Sequence, residues 1–246
     1  MPKFFLTPDA IHGSFIRLGE KNSAHVKALR LRAGEALTVS DGSGGEYQCV
    51  YRGMEEGEGV AEILGQGICQ TEPSVSVHIF AALPKGDKAE MIVQKAVELG
   101  AADISFFLSS RCISRPDDHA AGKRLERLSR VSEEAAMQSG RGRIPKVMWI
   151  PQFSDMLRKA AESNIALFLW EEADKNSLRS VLQSVSEAPG DLALISGPEG
   201  GFSREEAEEA GSRGLMLITL GKRILRCETA PLCALSAVIY ETGNLE

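Results

Sequence analysis

Two glycine-bearing segments near the carboxyl end hold the residues best suited to chemistry. The first is GPEGG, Gly197 to Gly201, and it follows the apolar run DLALIS. The second is LGKRILRCETA, Leu220 to Ala230, and it follows the apolar run at 215–220. Glycine lets a backbone approach a ligand closely. Pro198 fixes its own φ and biases Gly197 toward an extended form. Glu199 is the one ionisable side chain in the first loop, and as an isolated residue it reads equally as a surface turn or a ligand contact. In the second loop Arg226 and Glu228 are two residues apart. They read as a local ion pair, worth under about 1 kcal/mol if exposed. Ile224 and Leu225 could wall an apolar pocket. Ligands of open α/β sheets bind beyond the carboxyl ends of the strands, so two such loops suggest one cofactor pocket.

The kind of cofactor is narrowed by what is missing. The chain has no Walker A sequence and no GxGxxG fingerprint, which argues against nucleoside triphosphates and NAD. The helix expected after GPEGG starts with Ser203 and Glu206 as a capping box. Glu205, Glu206, Glu208 and Glu209 crowd its early turns and disfavour an anion beside them. S-adenosylmethionine carries an adenosine and a cationic sulfonium without phosphate, and it fits better. The five cysteines, Cys49, Cys69, Cys112, Cys227 and Cys233, form no CxxC pair, and the four histidines, His12, His25, His78 and His119, form no metal-ligand pattern. Reduced thiols and no metal are expected.

Net charge is −6, yet its distribution is uneven. Residues 111–146 hold nine Lys or Arg against five Asp or Glu, whereas the chain from 147 onward holds nine against fifteen. A basic stretch in an acidic protein reads as a solvated helix face or as a surface for phosphates. No apolar run approaches the roughly 18 residues that a membrane helix requires. The amino terminus lacks the apolar core of a signal peptide, so a cytoplasmic protein is expected.

These loops need elements to position them. Residues 1–72 read as a small β-barrel with strands at Phe15–Leu18, Ala36–Ser40, Tyr47–Tyr51 and Val60–Leu64 and a short helix near Asn22–Leu31. TEPS at 71–74 reads as a hinge. From there to residue 246, strands alternate with helices near 87–99, 119–139, 154–162, 176–185, 203–213 and 228–241. This predicts an α/β domain with a mainly parallel sheet covered on both faces. Met91, Val97 and the Ala96–Leu99 region suggest the buried stripe of the first helix. Leu232, Leu235, Val238 and Ile239 on the last helix suit a core or a dimer contact equally.

The chain also resembles a known family. ISGPEGGFS, LGKRILRCETA, PKGDKAEMIVQKAVELG (84–100), SSRC (109–112) and AMQSGRGRIP (136–145) are similar to the signatures of SPOUT-class RNA methyltransferases. Within that class they resemble the RsmE type, which methylates N3 of a uridine in 16S, small-subunit ribosomal RNA. LRLRAGEALTVSDG resembles that family's PUA-like RNA-binding barrel. The resemblance implies a trefoil-knotted sheet, a homodimer, and 16S ribosomal RNA as partner, free or within the small ribosomal subunit. It implies a cofactor site for S-adenosylmethionine at Leu194, Gly197, Glu199, Gly200, Gly201, Leu220, Gly221, Ile224, Leu225 and Arg226. Arg226 and Glu228 are then the candidate catalytic pair, with Glu228 orienting Arg226 or accepting a proton. Arg30, Arg111, Gln138 and Arg141 become candidate RNA contacts, and the basic segment gains weight as an RNA track. The alternatives are a SPOUT enzyme acting on another RNA site and a non-catalytic RNA-binding protein.

Overall fold

The structure, a computed structural model, describes residues 1–11, 13–173, 176–184 and 190–245. His12 and the last residue of the helix expected at 176–185 lie outside the described residues. The chain divides into two compact units: residues 1–72 with 136–144, and residues 73–135 with 145–246. Segment 136–144, assigned by sequence to the second domain, therefore belongs with the β-rich first unit.

In the first unit, β1 (Lys3–Phe5), β2 (Phe15–Arg17), β3 (Ala36–Ser40), β4 (Gly45–Glu55) and β5 (Glu58–Ile68) form one sheet in the order β1-β3-β4-β5-β2. No ladder joins β1 to β2 among the described residues, so the expected barrel is open at that edge. β1 escaped the sequence reading because three residues are too few to show alternation. It pairs parallel to β3. Phe4, Leu37, Val39 and Ala61 are fully buried, with Ile16, Leu18 and Val26 of α1 (Gly19–Leu29) packed beside them. The β4–β5 hairpin turns at Glu56 and Gly57, both with positive φ (50° and 91°). Such a turn matches the twist of its strands.

Thr71 and Glu72, at the start of the expected hinge, are fastened within this unit. Thr71 Oγ1 donates to the Gly140 carbonyl at 2.8 Å, and Glu72 accepts from the Gly142 and Arg143 amides at 2.9 and 3.1 Å. The Arg141 guanidinium binds the same carboxylate through two nitrogens, at 2.6 and 3.3 Å. Burial raises the Glu72 pKa, but the Arg141 hydrogen bond and charge with the two amides outweigh it and leave it below the usual carboxylate value. A Cβ on Gly142 would stand 2.4 Å from Cys69 Cβ, so this turn requires glycine there.

The second unit is the α/β body. Its strands are β6 (Ser76–Ala82), β7 (Asp103–Phe107), β8 (Lys146–Trp149), β9 (Ile165–Leu169), β10 (Asp191–Ser196) and β11 (Met216–Ile218). They form one sheet in the order β11-β9-β10-β6-β7-β8, and every ladder is parallel. Its helices are α2 (Lys88–Glu98), α3 (Asp118–Ser139), α4 (Phe153–Ala160), α5 (Leu178–Ser184), α6 (Arg204–Ser212) and α7 (Thr229–Glu241). The last four residues of α3 belong to the first unit. Central strands buried on both faces read as continuous apolar runs, and β10 is buried from Leu192 to Ser196. Ala193 and Ile195 join a cluster with Met156 and Leu157 of α4 and Ala207 and Ala210 of α6. Alternate residues point to the other face, and α7 packs on β10 and β6.

Two sequence expectations change. The α2 stripe is Ala89, Ile92, Val93, Ala96 and Val97, while Met91 is 52% exposed. On α7, Leu235, Val238 and Ile239 are core residues; of the four apolar positions proposed for core or dimer, only Leu232 is partly open to solvent. Helix α2 stops at Gly100, φ 94°, where Ala101 and Gly100 amides bind the Ala96 and Val97 carbonyls. That is the Schellman arrangement.

At the amino edge of this sheet, His78 of β6 lies between two carboxylates. Nδ1 is 2.7 Å from Asp103 and Nε2 is 3.3 Å from Asp191. The Asp103 hydrogen bond, opposed by burial and helped by both charges, lifts the imidazole above its ordinary 6.5. A histidine raised by folding stabilises fully below its unfolded pKa, and that contribution is lost as pH rises through the folded value. The stability advantage of the wild type over His78→Gln is therefore expected to be largest below about pH 6.5 and to shrink as the pH is raised. Urea unfolding across that window measures it.

Candidate functional site

The loops after β6, β7, β9, β10 and β11 all leave the carboxyl edge of the same sheet. The GPEGG loop leaves β10 at Ser196 and is closed by a 3.0 Å hydrogen bond from the Gly201 amide to the Pro198 carbonyl. Gly201 has φ +65°, and a Cβ on it would stand 2.7 Å from Glu171 Oε1. A Cβ on Gly197 would stand 3.2 Å from the Phe202 ring. Phe202 is the anchor of the loop: it is buried, its ring centroid lies 4.1 Å from that of Phe168, and it stacks on Phe107. Immediately after it the capping box forms as the sequence predicts. Ser203 Oγ accepts from the Glu206 amide at 3.2 Å, and Glu206 accepts from the Ser203 amide at 2.9 Å. Glu206 also does something the sequence did not show. Its other oxygen accepts from the Ser110 amide at 2.7 Å, tying the loop after β7 to the start of α6.

The second loop runs from Thr219 to Glu228 and ends where the Thr229 and Ala230 amides bind the Arg226 carbonyl. Between the two loops lies a cavity of about 470 Å³, within the roughly 300–1,000 Å³ range of small-molecule sites. Gly197, Glu199, Gly200, Gly201, Ile224, Leu225 and Arg226 line it. A smaller cavity of about 80 Å³ is lined by Leu220 and Gly221 and shares Leu169, Glu171, Ile224, Leu225 and Ala230 with the first. Nine of the ten candidate cofactor residues thus line these two spaces. Leu194 does not: it is fully buried inside β10, two residues short of the edge. The structure adds Lys88, Glu171, Ser196 and Phe202 to the main cavity. Ser196 and Phe202 flank the first loop directly, whereas Lys88 and Glu171 come from other segments, and no spacing rule links those two to the loops.

The walls suit a cationic, adenosine-bearing ligand. Ile224 is 80% exposed, an apolar side chain available to cover a flat ring. Ser196 Oγ is buried without a hydrogen-bond partner among the described residues, a polar atom that a ligand could satisfy. Glu171, Glu199 and the neighbouring Glu228 supply negative charge. Lys88 offsets part of it, with its Nζ 3.3 Å from Glu199 and 3.3 Å from Glu228. Burial opposes ionisation of Glu228, but amide, thiol and Lys88 hydrogen bonds hold its pKa below the ordinary carboxylate value. Glu199 is held down in the same way by its own amide, the Lys85 amide and Lys88. The Cys227 thiol is pushed up to about 11, chiefly by burial, and is not a nucleophile at neutral pH.

The expected Arg226–Glu228 ion pair does not form; Lys88 takes the carboxylate, so Glu228 does not orient Arg226. Arg226 is exposed and reaches no side-chain partner among the described residues. The RNA candidates also separate. Arg30 is exposed at the left-handed end of α1, φ 54°, and Gln138 is exposed on the last turn of α3. Arg111 donates to the Gly200 carbonyl at 3.0 Å and braces the first loop from an exposed position. Arg141 is 4% exposed and locked to Glu72, which corrects its assignment as an RNA contact: its task is to hold the 140–143 turn. The basic run divides likewise. Arg115 and Arg124 bind backbone carbonyls of Ser109, Ser110, Pro84 and Gly86, and Arg127 pairs with Glu90. Lys123, Arg130 and Lys146 are exposed without such partners among the described residues.

Comparison with known proteins agrees with this geometry. An RNA methyltransferase domain family matches residues 71–239, and an RNA methyltransferase PUA domain family matches residues 18–64. The chain is 33% identical to ribosomal RNA small subunit methyltransferase E of Bacillus subtilis, over 94% of this chain and 92% of that one. It is similar to the crystal structure of ribosomal RNA small subunit methyltransferase E from Neisseria gonorrhoeae bound to S-adenosyl methionine. The TM-score is 0.87 and the identity 32%, over 98% of this chain and 97% of the other. A methyltransferase from Legionella pneumophila in complex with the same cofactor superposes with a TM-score of 0.86 and 29% identity, covering 97% and 96%.

Glu206→Ala removes the acceptor of two backbone amides at once. It is expected to cost about 1–3 kcal/mol in chemical unfolding, against no more than about 0.5 kcal/mol for the exposed Glu208→Ala. Equal costs would contradict the tie between Glu206 and Ser110.

Proposed function

Because the chain belongs to the ribosomal RNA small subunit methyltransferase E family, we propose that it transfers a methyl group from S-adenosylmethionine to N3 of a uridine in 16S ribosomal RNA. The observation that carries this reading is the glycine-walled cavity at the carboxyl edge, with its acidic rim, its orphaned Ser196 hydroxyl and a free arginine beside it. The cofactor supplies a methyl group already activated by its sulfonium. The glycine loops, Leu220 and Ile224 hold it, and the acidic rim complements its positive charge.

The residues of the chain then have to place and prepare the uridine. N3 carries a proton, and negative charge develops on the base as that proton leaves. Arg226, exposed and uncommitted, is the group that stabilises this charge and positions the base. Glu228 remains a carboxylate and takes the proton directly or through water. A carboxylate whose folded pKa is depressed keeps this capacity at neutral pH and loses it only as pH falls through that depressed value. The base has to leave any stack or pair to reach the cleft.

In the first unit, Arg30 and Gln138 are the proposed RNA contacts. In the second they are Arg111, Lys123, Arg130 and Lys146. Phosphate contacts of this kind make affinity fall steeply with salt. We further take the enzyme to act in the cytoplasm as a homodimer, on free RNA or on the assembled small subunit, with its second loop threaded as the family's trefoil knot. The sheet order leaves room for that path: β11 sits beyond β9, and α7 returns to β10 and β6. No described helix is long and apolar enough to cross a membrane.

Arg226→Ala is expected to lower kcat for methyl transfer by about 100-fold or more while changing cofactor affinity far less. Single-turnover assays with radiolabelled cofactor check this. Unchanged turnover by the folded variant would remove Arg226 from the chemistry.

A further inference from the structure

Lys88 occupies the first position of α2, where a cation opposes the helix dipole. Nothing on its own helix accounts for it there. Its partners are on the other two loops: Glu199 of the GPEGG loop and Glu228 at the end of the second, each 3.3 Å from Nζ. The Cys227 sulfur is 3.7 Å away. Both carboxylates are largely buried, with 18% and 13% of their side chains exposed, and Lys88 itself lines the cavity.

The loop that presents Lys88 is itself braced. The Lys85 amide donates to the same Glu199 oxygen at 3.1 Å, and Arg124 clamps the Pro84 and Gly86 carbonyls at 3.0 Å each. One ammonium therefore stands between two acids that belong to opposite walls of one cleft. Without it the two like charges would share a poorly solvated space.

We propose that Lys88 is a positioning residue for methyl transfer: its ammonium couples Glu199 of one loop to Glu228 of the other and so sets the spacing of the two walls of the cleft. This rests on the functional reading above. Lys88 touches neither base nor methyl group in this role; it acts through the carboxylates. Burial favours their neutral forms, and the Lys88 hydrogen bonds and charge help to reverse this. An opposite charge within about 4–6 Å moves a carboxyl group by roughly 1–3 pH units.

The test compares wild type, Lys88→Met and Lys88→Arg in the full chain. In the first arm, carbon-13 NMR follows the carboxyl titrations of Glu199 and Glu228 without cofactor or RNA. The second arm measures kcat/KM for methyl transfer as a function of pH. Lys88→Met is expected to raise the titration midpoint of at least one of the two carboxylates, and the acid limb of the rate profile with it, by about one pH unit or more. Lys88→Arg, which keeps the charge, should restore most of the rate and return the limb toward its wild-type position. A carboxyl titration that does not move, or a Lys88→Met rate loss of equal size at every pH, would overturn the proposal. Wild-type enzyme that transfers no methyl to RNA would overturn the functional reading instead, and the positioning role with it. The two failures are distinct because the titration arm requires no turnover.

Discussion

The parallel ladder between β10 and β6 is the constraint on which the site depends. Its register places Ser196 opposite Ala81, so two chain segments leave the sheet side by side. One becomes the glycine loop and the other the loop that carries Lys85 and Lys88. Sheet order extends the effect. With β9 on the far side of β10 and β7 on the far side of β6, the loops at 170–171 and 108–112 flank the same opening. Chain direction reverses its progress across the sheet at this junction, where open α/β sheets leave a crevice. The hydrophobic core holds this arrangement in place. Phe202 locks the glycine loop down onto Phe168 and Phe107, and Glu206 fastens the neighbouring loop to the start of α6.

Charge organises what packing has brought together. Two carboxylates, Glu171 and Glu199, and the Lys88 ammonium line a cavity otherwise rich in glycine and apolar side chains, and Glu228, paired to that ammonium, stands beside it. Lys88, Arg115, Arg124 and Arg141 are spent on holding loops and turns. Arg226 is left exposed at the rim. This fits the role proposed for Arg226: a group unpaired in the ground state keeps its stabilisation for charge that develops during reaction.

Much of this was legible in the sequence, for identifiable reasons. The strands of the second unit are short apolar runs bounded by turn residues, and β3 and β10 fall at the predicted positions. The Ser203–Glu206 capping box is a local pattern with a local mechanism, and it forms. The two glycine loops line the cavity because their function is written in backbone freedom at the positions themselves. What remained hidden is non-local. Lys88 stands 111 residues before Glu199, and Arg141 stands 69 residues after Glu72; no periodicity connects such pairs. Met91 was placed by its neighbourhood in the sequence, whereas helix phase turns it outward; Leu194, which the family resemblance implied, lies inside the sheet and away from the cavity. The segment at 136–144 joined the first unit because Glu72, Lys3 and Ser40 all bind its backbone, contacts that only the folded chain brings together.

The central claim is that the two loops at the carboxyl edge form a ready-made site for a cationic methyl donor. Titration calorimetry of the protein with S-adenosylmethionine tests it most directly. Saturable uptake of the cofactor, lost when Gly201 is replaced by valine in a chain that still folds, is the expected result. No heat of binding from the correctly folded wild type would contradict it.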